Sequence, residues 1–281
     1  MSKKTISAIT GGGGDFGRAV AVKLGLEGSI LLGDFREQEL MEVAKELELL
    51  GIDVHTMPMD VREVDSCRGF AEKAASLGEV KNVINIAGVA PQISYIDQTI
   101  SSPEHIFTSN SIGVVYMTDA FLPVMASGGS CVHFASQAGY FASLNENVFQ
   151  VFDSCYEEGF LSRLVQLVPE GEEYMRSGIA YMLSKAFVHR YVHRNVTRFG
   201  KKGLRINTVS PGMHWTAQVR AMDVTQREAM RDGQPIKRYG SPLEMAHIVA
   251  FLCSDAAAYT TGSDILADGG GCRIRYAPQL D

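Results

Sequence analysis

The sequence predicts a single α/β domain in which a doubly wound parallel sheet carries helices on both faces. Short apolar runs alternate with longer amphipathic segments along the 281 residues, which is typical of repeated βαβ units. The apolar runs are continuous, as in strands that are buried on both faces of a parallel sheet. No linker rich in Pro, Gly or Ser divides the chain, so we expect residues 1–281 to form one domain.

Strands and helices alternate in order through the first half of the chain. The predicted strands are Thr5–Thr10, Ser29–Gly33, Val54–Met59 and Val80–Ile86. The predicted helices are Phe16–Glu27, Glu37–Leu50 and Glu63–Leu77. Apolar side chains recur in these helices at helical spacing, and a glycine follows the second and the third. Because each helix leads to another strand, we expect right-handed crossovers.

The second half of the chain keeps this alternation but contains one insertion. Its predicted helices are Ile112–Met125, Ala180–Phe199 and Pro242–Cys253. Its predicted strands are Cys131–Ala135, Leu204–Val209 and Ile265–Ala267. The segment between the first of these strands and the second helix is too long for a structureless loop in a compact domain. Apolar residues recur there at helical spacing, so Ala142–Gly178 is predicted to be an inserted, mostly helical subdomain.

The composition excludes several classes of protein. The formal net charge is −6, from 26 basic and 32 acidic residues, which disfavours a nucleic-acid-binding surface. No window approaches the roughly 18 apolar residues of a membrane span. The five cysteines lack the spacing of a zinc site, and the pair His189 and His193 has no evident third ligand, so no metal is expected. These features predict a cytoplasmic protein with free thiols and no membrane or nucleic-acid partner.

A glycine-rich turn follows the first predicted strand and opens the first predicted helix. The turn runs from Thr10 to Gly17 and has glycines at positions 11, 14 and 17. Backbone N–H groups and a helix N-terminus can approach a diphosphate closely where no Cβ intervenes. The turn therefore predicts a phosphate-binding site, with a flexible loop as the alternative.

A carboxylate ends the second predicted strand. Asp34 lies about 20 residues after the glycines, where a carboxylate would bind the ribose hydroxyls of a dinucleotide. The 2′-phosphate of NADP would meet a negative charge there, so Asp34 favours NAD (NADH) over NADP. The nearby Arg36 weakens this preference, and a simple strand-end turn is the alternative role for Asp34.

Eight segments, in this order, resemble the motifs of the short-chain dehydrogenase/reductase family, whose fold is a Rossmann fold. They are Thr10–Gly17, Asp60–Val61, Asn85–Gly88, Asn110–Gly113, Ser136, Tyr181–Lys185, Ser210–Thr216 and Asp268–Gly270. Any one of them is modest evidence, whereas eight in the right order over about 260 residues are specific.

The resemblance implies that Asn110, Ser136, Tyr181 and Lys185 are catalytic. Tyr181 and Lys185 are four residues apart, so a helix places both on one face. A phenol is a poor base at neutral pH, and a close ammonium lowers its pKa by about one to three units. Tyr181 would exchange the proton of the substrate hydroxyl, and Ser136 would hydrogen-bond the substrate oxygen. Asn110 would hold a water of the proton relay.

The resemblance also assigns cofactor-binding residues. They are Gly11, Gly14, Asp15, Phe16, Gly17, Asp34, Asp60, Val61, Asn85, Ala87, Gly88, Tyr181, Lys185, Pro211, Gly212 and Thr216. The usual family turn has glycine at the position of Asp15, whose charge would repel a diphosphate. We therefore expect the Asp15 side chain to turn away, with a cap on the following helix as one way of doing so.

The insertion is a second departure from the family pattern. Tyr181 lies 45 residues after Ser136, and the extra length is similar to the insertion of bacterial 3α-hydroxysteroid dehydrogenase/carbonyl reductases. We expect the insertion, residues 142–178, to lie over the active site. The residues expected to contact substrate are Gln137, Phe149, Phe152, Met213 and Trp215. They suit a hydrophobic alcohol or ketone, with a steroid as one candidate, unless the insertion's aromatic residues pack only its own core.

The sequence therefore predicts an NAD-dependent alcohol dehydrogenase or carbonyl reductase, and the resemblance implies a homodimer or homotetramer. One alternative is an epimerase or dehydratase that uses NAD transiently, to which the glycine spacing gives some support. Another is an NAD-sensing protein without catalysis, which would usually lack Tyr181 or Lys185. An enoyl reductase is disfavoured because that class uses a longer spacing between Tyr and Lys.

Overall fold

The computed structural model describes residues 4–91 and 100–273, in which seven parallel strands form one sheet. The strands are β1 (Thr5–Thr10), β2 (Ser29–Asp34), β3 (Val54–Pro58), β4 (Glu79–Asn85), β5 (Met125–Phe134), β6 (Arg205–Pro211) and β7 (Asp264–Ala267). Their order is β3-β2-β1-β4-β5-β6-β7, and each neighbouring pair is parallel. The predicted doubly wound α/β fold is confirmed.

Helices cover both faces of this sheet. They are α1 (Asp15–Leu24), α2 (Glu37–Leu49), α3 (Val64–Leu77), α4 (Pro103–Phe107), α5 (Gly113–Phe121), α6 (Glu146–Asp153), α7 (Phe160–Gln166), α8 (Glu173–Gly200), α9 (Ala217–Arg220), α10 (Val224–Asp232) and α11 (Pro242–Cys253). A π-helical turn, Thr108–Ile112, joins α4 to α5, and a 3₁₀ turn, Gln137–Phe141, follows β5. Across residues 4–91 and 100–273, no helix combines the length and apolar character that a membrane span requires.

Two hydrophobic clusters fill the space between the sheet and its helices. On one face α1, α2 and α11 pack around residues such as Val20 and Val249. On the other face α3, α5 and α8 pack around residues such as Phe70 and Phe121. The strands between them are covered on both sides, and every residue of β2 is buried. This two-sided burial is the reason for the continuous apolar runs in the sequence.

Two predicted starts, those of β5 and α8, differ most from the structure. β5 begins at Met125 rather than Cys131, because residues 126–130 are rich in Ser and Gly and include a shift in register against β4. α8 begins at Glu173 rather than Ala180. In its first turns the apolar residues Tyr174 and Met175 are adjacent and exposed rather than spaced along one buried face, so no apolar stripe indicates a helix there.

The inserted segment forms two short helices, α6 and α7, that pack on the flank of α8. The rings of Phe152 on α6 and Phe160 on α7 each contact Phe187 on α8, with centroids 5.5 Å apart. α7 also packs against α4. From Glu173 onward, the predicted range 142–178 belongs to α8. The insertion therefore extends a hydrophobic cluster around α8, separate from the two clusters that face the sheet.

The strand order reverses beside β1, and this leaves a crevice at the carboxyl ends of the strands. β2 lies on one side of β1, and β4 lies on the other. The Oγ1 atom of Thr10 accepts hydrogen bonds from the N–H groups of Ile86 and Ala87, at 3.1 and 3.2 Å. Thr10 thus ties the end of β1 to the segment after β4. Open α/β sheets bind ligands at such a reversal.

The turn between β1 and α1 depends on two of its glycines. Gly11 has a positive φ of 69°, which glycine adopts at little cost. A Cβ on Gly17 would overlap the carbonyl oxygen of Gly11. Gly14 differs, because its φ is −93° and the atom nearest to an added Cβ would be the Gly11 oxygen, at 3.4 Å. The backbone of the turn therefore requires glycine at positions 11 and 17 but has room for a methyl group at 14.

Alanine substitutions at Gly17 and Gly14 should have different effects on the stability of the fold. Gly17→Ala forces a Cβ into a carbonyl oxygen and should destabilise the fold by about 1–3 kcal/mol. Gly14→Ala meets only ordinary contacts and should change stability by less than about 0.5 kcal/mol. Thermal unfolding of both variants without ligand measures the difference. A neutral Gly17→Ala, or equal losses in the two variants, would contradict this account of the turn.

A buried histidine lies near the end of β5. His133 is fully buried, and its Nδ1 atom lies 3.1 Å from Asn85 Nδ2, an amide group that can only donate. Burial lowers the pKa of His133 to about 3. The folded protein therefore keeps this imidazole neutral down to that pH, whereas the unfolded chain binds a proton on it near pH 6.5.

Acid should lower the free energy of unfolding because His133 stays neutral in the folded protein. Below about pH 6.5 the unfolded chain takes up a proton that the folded chain does not, so a change from about pH 7 to about pH 5 should cost about 2 kcal/mol at this residue. In His133→Asn the side chain does not titrate but still offers an acceptor to Asn85. Urea unfolding at both pH values should show an acid loss about 2 kcal/mol smaller in the variant. The same acid loss in both proteins would be inconsistent with a neutral, buried His133.

Candidate active site

A cleft of about 270 Å³ opens at the carboxyl edge of the sheet, beside the reversal in strand order. Its walls come from the start of α1, the segment after β4, the 3₁₀ turn after β5, α8 and the segment after β6. Motifs that are far apart in the sequence therefore meet around one space.

Ser136, Tyr181 and Lys185 meet in this cleft. Ser136 follows β5, and its Oγ accepts a hydrogen bond from the N–H of Ala138 at 3.1 Å, which fixes the start of the 3₁₀ turn. Ser136 and Tyr181 of α8 both line the cleft. Lys185 lies one helical turn further along, with its Nζ 5.7 Å from the centroid of the Tyr181 ring.

Burial shifts the ionisation of both α8 residues. It raises the pKa of the Tyr181 phenol, while hydrogen bonds from the side chains of Ser136 and Gln218 lower that pKa. Burial also lowers the pKa of Lys185 to about 8. The Lys185 ammonium donates a hydrogen bond to the Phe134 carbonyl oxygen at 3.0 Å, which partly replaces its lost hydration. Near neutral pH the cleft therefore holds a neutral phenol beside a buried cation.

Asn110 is buried in the π-helical turn between α4 and α5. Its Oδ1 accepts from the Val89 N–H at 2.8 Å, and its Nδ2 donates to the Val89 carbonyl at 2.9 Å and to Ser184 Oγ at 3.1 Å. These bonds join the turn to the segment after β4 and to the neighbour of Lys185. Asn110 therefore fixes the geometry of the cleft, and its relay water stays a prediction.

The glycine turn presents the start of α1 to the cleft. α1 begins at Asp15, so the N–H groups of Asp15, Phe16 and Gly17 lie in a first turn that offers them no intrahelical acceptor. The Gly13 N–H donates to Asp34 Oδ2 at 3.0 Å, which holds the turn against the end of β2. Free helical N–H groups, the positive end of a helix and close backbone packing fit the diphosphate of a dinucleotide.

Asp34 ends β2 and is buried, with its carboxylate held by Arg36 as well as by Gly13. Its Oδ1 accepts from the Arg36 backbone N–H at 3.0 Å and from Nε at 3.3 Å. Its Oδ2 accepts from Arg36 Nη2 at 3.2 Å. The negative charge that was expected to reject a 2′-phosphate is therefore paired with a guanidinium.

Asp60 and Val61 follow β3, beyond Asp34 along the same edge. The Arg62 guanidinium donates to the Asp60 carboxylate through Nε at 3.0 Å and Nη2 at 2.6 Å, and it lowers the pKa of that carboxyl. Val61 is nearly buried against Gly113, where an added Cβ would lie 3.0 Å from the valine side chain. Contact of these two residues with the adenine stays a prediction.

The backbone after β4 runs close to the catalytic groups, but the Asn85 side chain at the end of β4 is not at the predicted cofactor site. A Cβ on Gly88 would lie 2.8 Å from Asn110 Oδ1 and 3.5 Å from Lys185 Nζ, so the backbone of Ala87 and Gly88 runs close to the catalytic groups. The side chain of Asn85 points into the core, toward the histidine of β5, and does not face the cleft. Its amide is oriented by that contact, which a motif read from sequence does not reveal.

The segment after β6 closes the cleft from above the glycine turn. Pro211, Gly212 and Thr216 line it, and their contact with a cofactor stays a prediction. The Asp15 side chain turns toward this segment, because its Oδ2 accepts from the Ala217 N–H at 2.6 Å and pairs with Arg220 at 3.3 Å. Asp15 therefore caps α9, whereas the first helix α1 has no side-chain cap.

The residues predicted to contact substrate divide into two groups. Gln137 and Met213 line the cleft. Phe152 is buried in the hydrophobic cluster around α8, and the ring of Phe149 lies 5.0 Å from the Arg190 guanidinium on the outer side of α8. The structure thus corrects the assignment of both rings, and the insertion supplies none of the residues that line the cleft.

Trp215 is also placed differently from the prediction. Its ring stacks on Tyr239 with centroids 4.9 Å apart, and 41% of the residue is exposed. The next residues along, Thr216, Gln218 and Val219, line the cleft instead. Gln218 was not identified from the sequence, although its place in the segment after Pro211 marked the right region.

Comparisons with known proteins agree with this architecture. Residues 5–149 match the family model described as short chain dehydrogenase, and residues 162–271 match the model described as Enoyl-(Acyl carrier protein) reductase. A short-chain dehydrogenase/reductase, bsc3, of Alternaria brassicicola is 30% identical, with 96% of each chain covered. An L-rhamnose 1-dehydrogenase (NAD(P)(+)) of Sphingomonas sp. is 28% identical, again with 96% of each chain covered.

A solved structure described as a short-chain dehydrogenase/reductase, glucose/ribitol dehydrogenase, from Brucella melitensis has the same fold. The match has a TM-score of 0.75 at 23% identity and covers 96% of this chain and 98% of that one. The sheet, the cleft and these matches together show that the chain belongs to the short-chain dehydrogenase/reductase family, whose members are oxidoreductases that use NAD or NADP.

Proposed function

We propose that this protein is an NAD(H)-dependent oxidoreductase that interconverts a secondary alcohol and a ketone. The observation that carries the proposal is the meeting of Ser136, Tyr181 and Lys185 in one cleft, with the Lys185 Nζ 5.7 Å from the centroid of the Tyr181 ring. Family membership supports redox chemistry, and the retained Tyr and Lys argue against a protein that only senses NAD.

The described residues fit a dinucleotide cofactor. The turn from Gly11 to Gly17 and the start of α1 would hold the diphosphate, and Asp34 would hold the adenosine ribose. Lys185 and Thr216 would hold the nicotinamide half. When bound, the cofactor would supply or accept the hydride.

Tyr181 would move the proton of the reaction. In alcohol oxidation its phenolate oxygen accepts the proton of the substrate hydroxyl, and in ketone reduction the phenol returns it. Ser136 donates a hydrogen bond to the substrate oxygen and stabilises negative charge there. The Lys185 ammonium favours the phenolate, and since the pKa of Lys185 is lowered to about 8, this assistance is lost as the pH rises through that value.

Tyr181→Phe removes the proton donor but keeps the ring. Turnover with NADH and a ketone should fall by at least about a hundredfold, the lower end of what a general acid contributes. Binding of NADH, measured by fluorescence titration, should stay within a few-fold of the wild type. The matched control is Tyr174→Phe, which changes an exposed tyrosine at the start of α8 and should leave turnover unchanged. Retained turnover in Tyr181→Phe would refute the proposed role.

We propose NAD as the preferred cofactor, with the preference set jointly by Asp34 and Arg36. The Asp34 carboxylate can accept from ribose hydroxyls, but its charge is paired with the Arg36 guanidinium. If the guanidinium moves off the carboxylate, it offers a partner to a 2′-phosphate. The pair thus supports a moderate preference for NADH and some use of NADPH.

Substitutions at this pair should move the preference in opposite directions. Asp34→Ala releases the guanidinium from this carboxylate and removes the repulsion, so the ratio of kcat/KM for NADH to that for NADPH should fall about tenfold or more. Arg36→Ala leaves the carboxylate unpaired, and the same ratio should rise. Steady-state kinetics with both cofactors measure the ratios. If Asp34→Ala leaves the ratio unchanged, the proposal for the cofactor fails.

The cleft supports a compact, mainly hydrophobic substrate. Its outer part is lined by apolar side chains, among them Val89, Phe141, Met213, Met222 and Met230. Its volume of about 270 Å³ lies below the roughly 300–1,000 Å³ of typical pockets for drug-sized ligands, and the nicotinamide would occupy part of it. A small alcohol or ketone therefore fits this cleft more readily than a steroid does.

The expected homodimer or homotetramer has one supporting feature. β7 is an edge of the sheet, and the neighbouring helix α11 exposes the large apolar side chains of Leu243 and Phe251. The insertion covers the flank of α8. A second copy would therefore pack more readily beside α11 and β7 than on α8. The oligomeric state and the cytoplasmic location stay predictions.

A further inference from the structure

A short segment between β6 and α10 borders the cleft and is held by the glycine turn. This segment, residues 216–222, includes α9 and is here called the strap. One anchor is Asp15, whose carboxylate accepts from the Ala217 N–H at 2.6 Å and pairs with the Arg220 guanidinium at 3.3 Å. Arg220 in turn donates to the Trp215 carbonyl oxygen at 3.2 Å. The glycine turn therefore holds the strap by a charged contact.

The strap also borders the Tyr181 phenol. Gln218 lies between the two residues that contact Asp15 and lines the cleft together with Tyr181, and its side chain lowers the pKa of that phenol. Val219 and Met222 line the cleft beside it. One turn of helix thus connects the diphosphate-binding turn to the group that moves the proton.

We propose that Gln218 is a further catalytic-site residue whose amide N–H donates to the Tyr181 oxygen, and that Asp15 is the positioning residue that holds it there through the strap. The inference rests on the proposed role of Tyr181. It also gives Asp15 a function at a position where the family turn usually has glycine.

The chemistry follows from the donor character of an amide N–H group. A donor to the phenol oxygen stabilises the phenolate more than the phenol. When the phenolate accepts the proton of the substrate hydroxyl, the O–H bond of the substrate breaks and an O–H bond forms on Tyr181. Gln218 and Ser136 would then stabilise the negative charge of the Tyr181 phenolate by donating to its oxygen. Lys185 stabilises that charge from further away, with its Nζ 5.7 Å from the centroid of the Tyr181 ring.

The positioning role of Asp15 follows from the geometry of its contacts. Ala217 and Arg220 immediately flank the segment that contains Gln218. Because α9 has only four residues, it has little stability of its own, and the cap from Asp15 fixes its first turn. Loss of the cap should free the strap and withdraw Gln218 from Tyr181.

The first experiment measures the ionisation of Tyr181 without any substrate. Ultraviolet difference titration of phenolate, with Tyr181→Phe subtracted, should show an apparent pKa about 0.5–1 unit higher in Gln218→Leu than in the wild type. In Gln218→Asn the amide is kept and part of the shift should be rescued. The matched control is Gln226→Leu on α10, since Gln226 bonds the exposed Tyr174 hydroxyl instead. An unchanged titration in Gln218→Leu would overturn the proposal.

The second experiment measures how firmly the strap is held, through the fluorescence of Trp215, the only tryptophan in the sequence. Asp15→Gly should shift the Trp215 emission to the red and increase quenching by acrylamide. Asp15→Asn retains an oxygen acceptor for the Ala217 N–H and should resemble the wild type more closely. Emission that is unaltered in Asp15→Gly would overturn the positioning role.

The third experiment tests whether the two residues act through one path. The acid limb of the kcat/KM profile for oxidation of cyclohexanol by NAD⁺ should move to higher pH in Gln218→Leu and in Asp15→Gly, and the double variant should move no further than Gln218→Leu. Additive shifts would overturn the coupling. If the wild type oxidises no alcohol, the proposed function fails. The titration and fluorescence experiments still test the roles of Gln218 and Asp15, because neither needs a substrate.

Discussion

The hydrogen bond from the Lys185 ammonium to the Phe134 carbonyl is the contact on which the site depends. A buried cation is costly unless it finds an acceptor, and this carbonyl lies two residues before Ser136 at the end of β5. Lys185 in turn lies one helical turn after Tyr181. The bond therefore sets how α8 approaches β5, and with it the contact between Ser136 and the phenol.

Asn110 supports the same arrangement from the opposite side. Its amide joins the π-helical turn to the backbone of Val89 and to Ser184, beside Lys185. The close approach of Gly88 leaves no room for a side chain between these groups. The geometry of the site thus depends on backbone atoms of separate segments as well as on the side chains that line the cleft.

The features that the sequence predicted well are local. The pairing of Tyr181 with Lys185 depends only on helical spacing, and the turn from Gly11 to Gly17 depends on glycines next to a strand. Features that depend on distant segments were not predictable. The contact between Asp15 and Ala217 joins residues 202 positions apart, and no sequence pattern indicates it.

The insertion is helical as predicted, but its aromatic residues do not line the cleft, for a related physical reason. Apolar residues at helical spacing show that one face of a helix is buried, but they do not identify what covers it. Phe152 packs against Phe187 of α8, so its ring contributes to the core rather than to the cleft. The first turns of α8 likewise carried no apolar stripe to show that the helix had already begun at Glu173.

The length of α8 gives the insertion an indirect influence on the chemistry. With 28 residues the helix is about 42 Å long and behaves as a stiff rod. Phe187, which supports α6 and α7, lies less than two turns beyond Tyr181 on that rod. A change in side-chain volume beneath the insertion would therefore be transmitted as a small rotation of α8 about its axis. Evolution could in this way adjust the rate of the reaction from a surface that no substrate contacts.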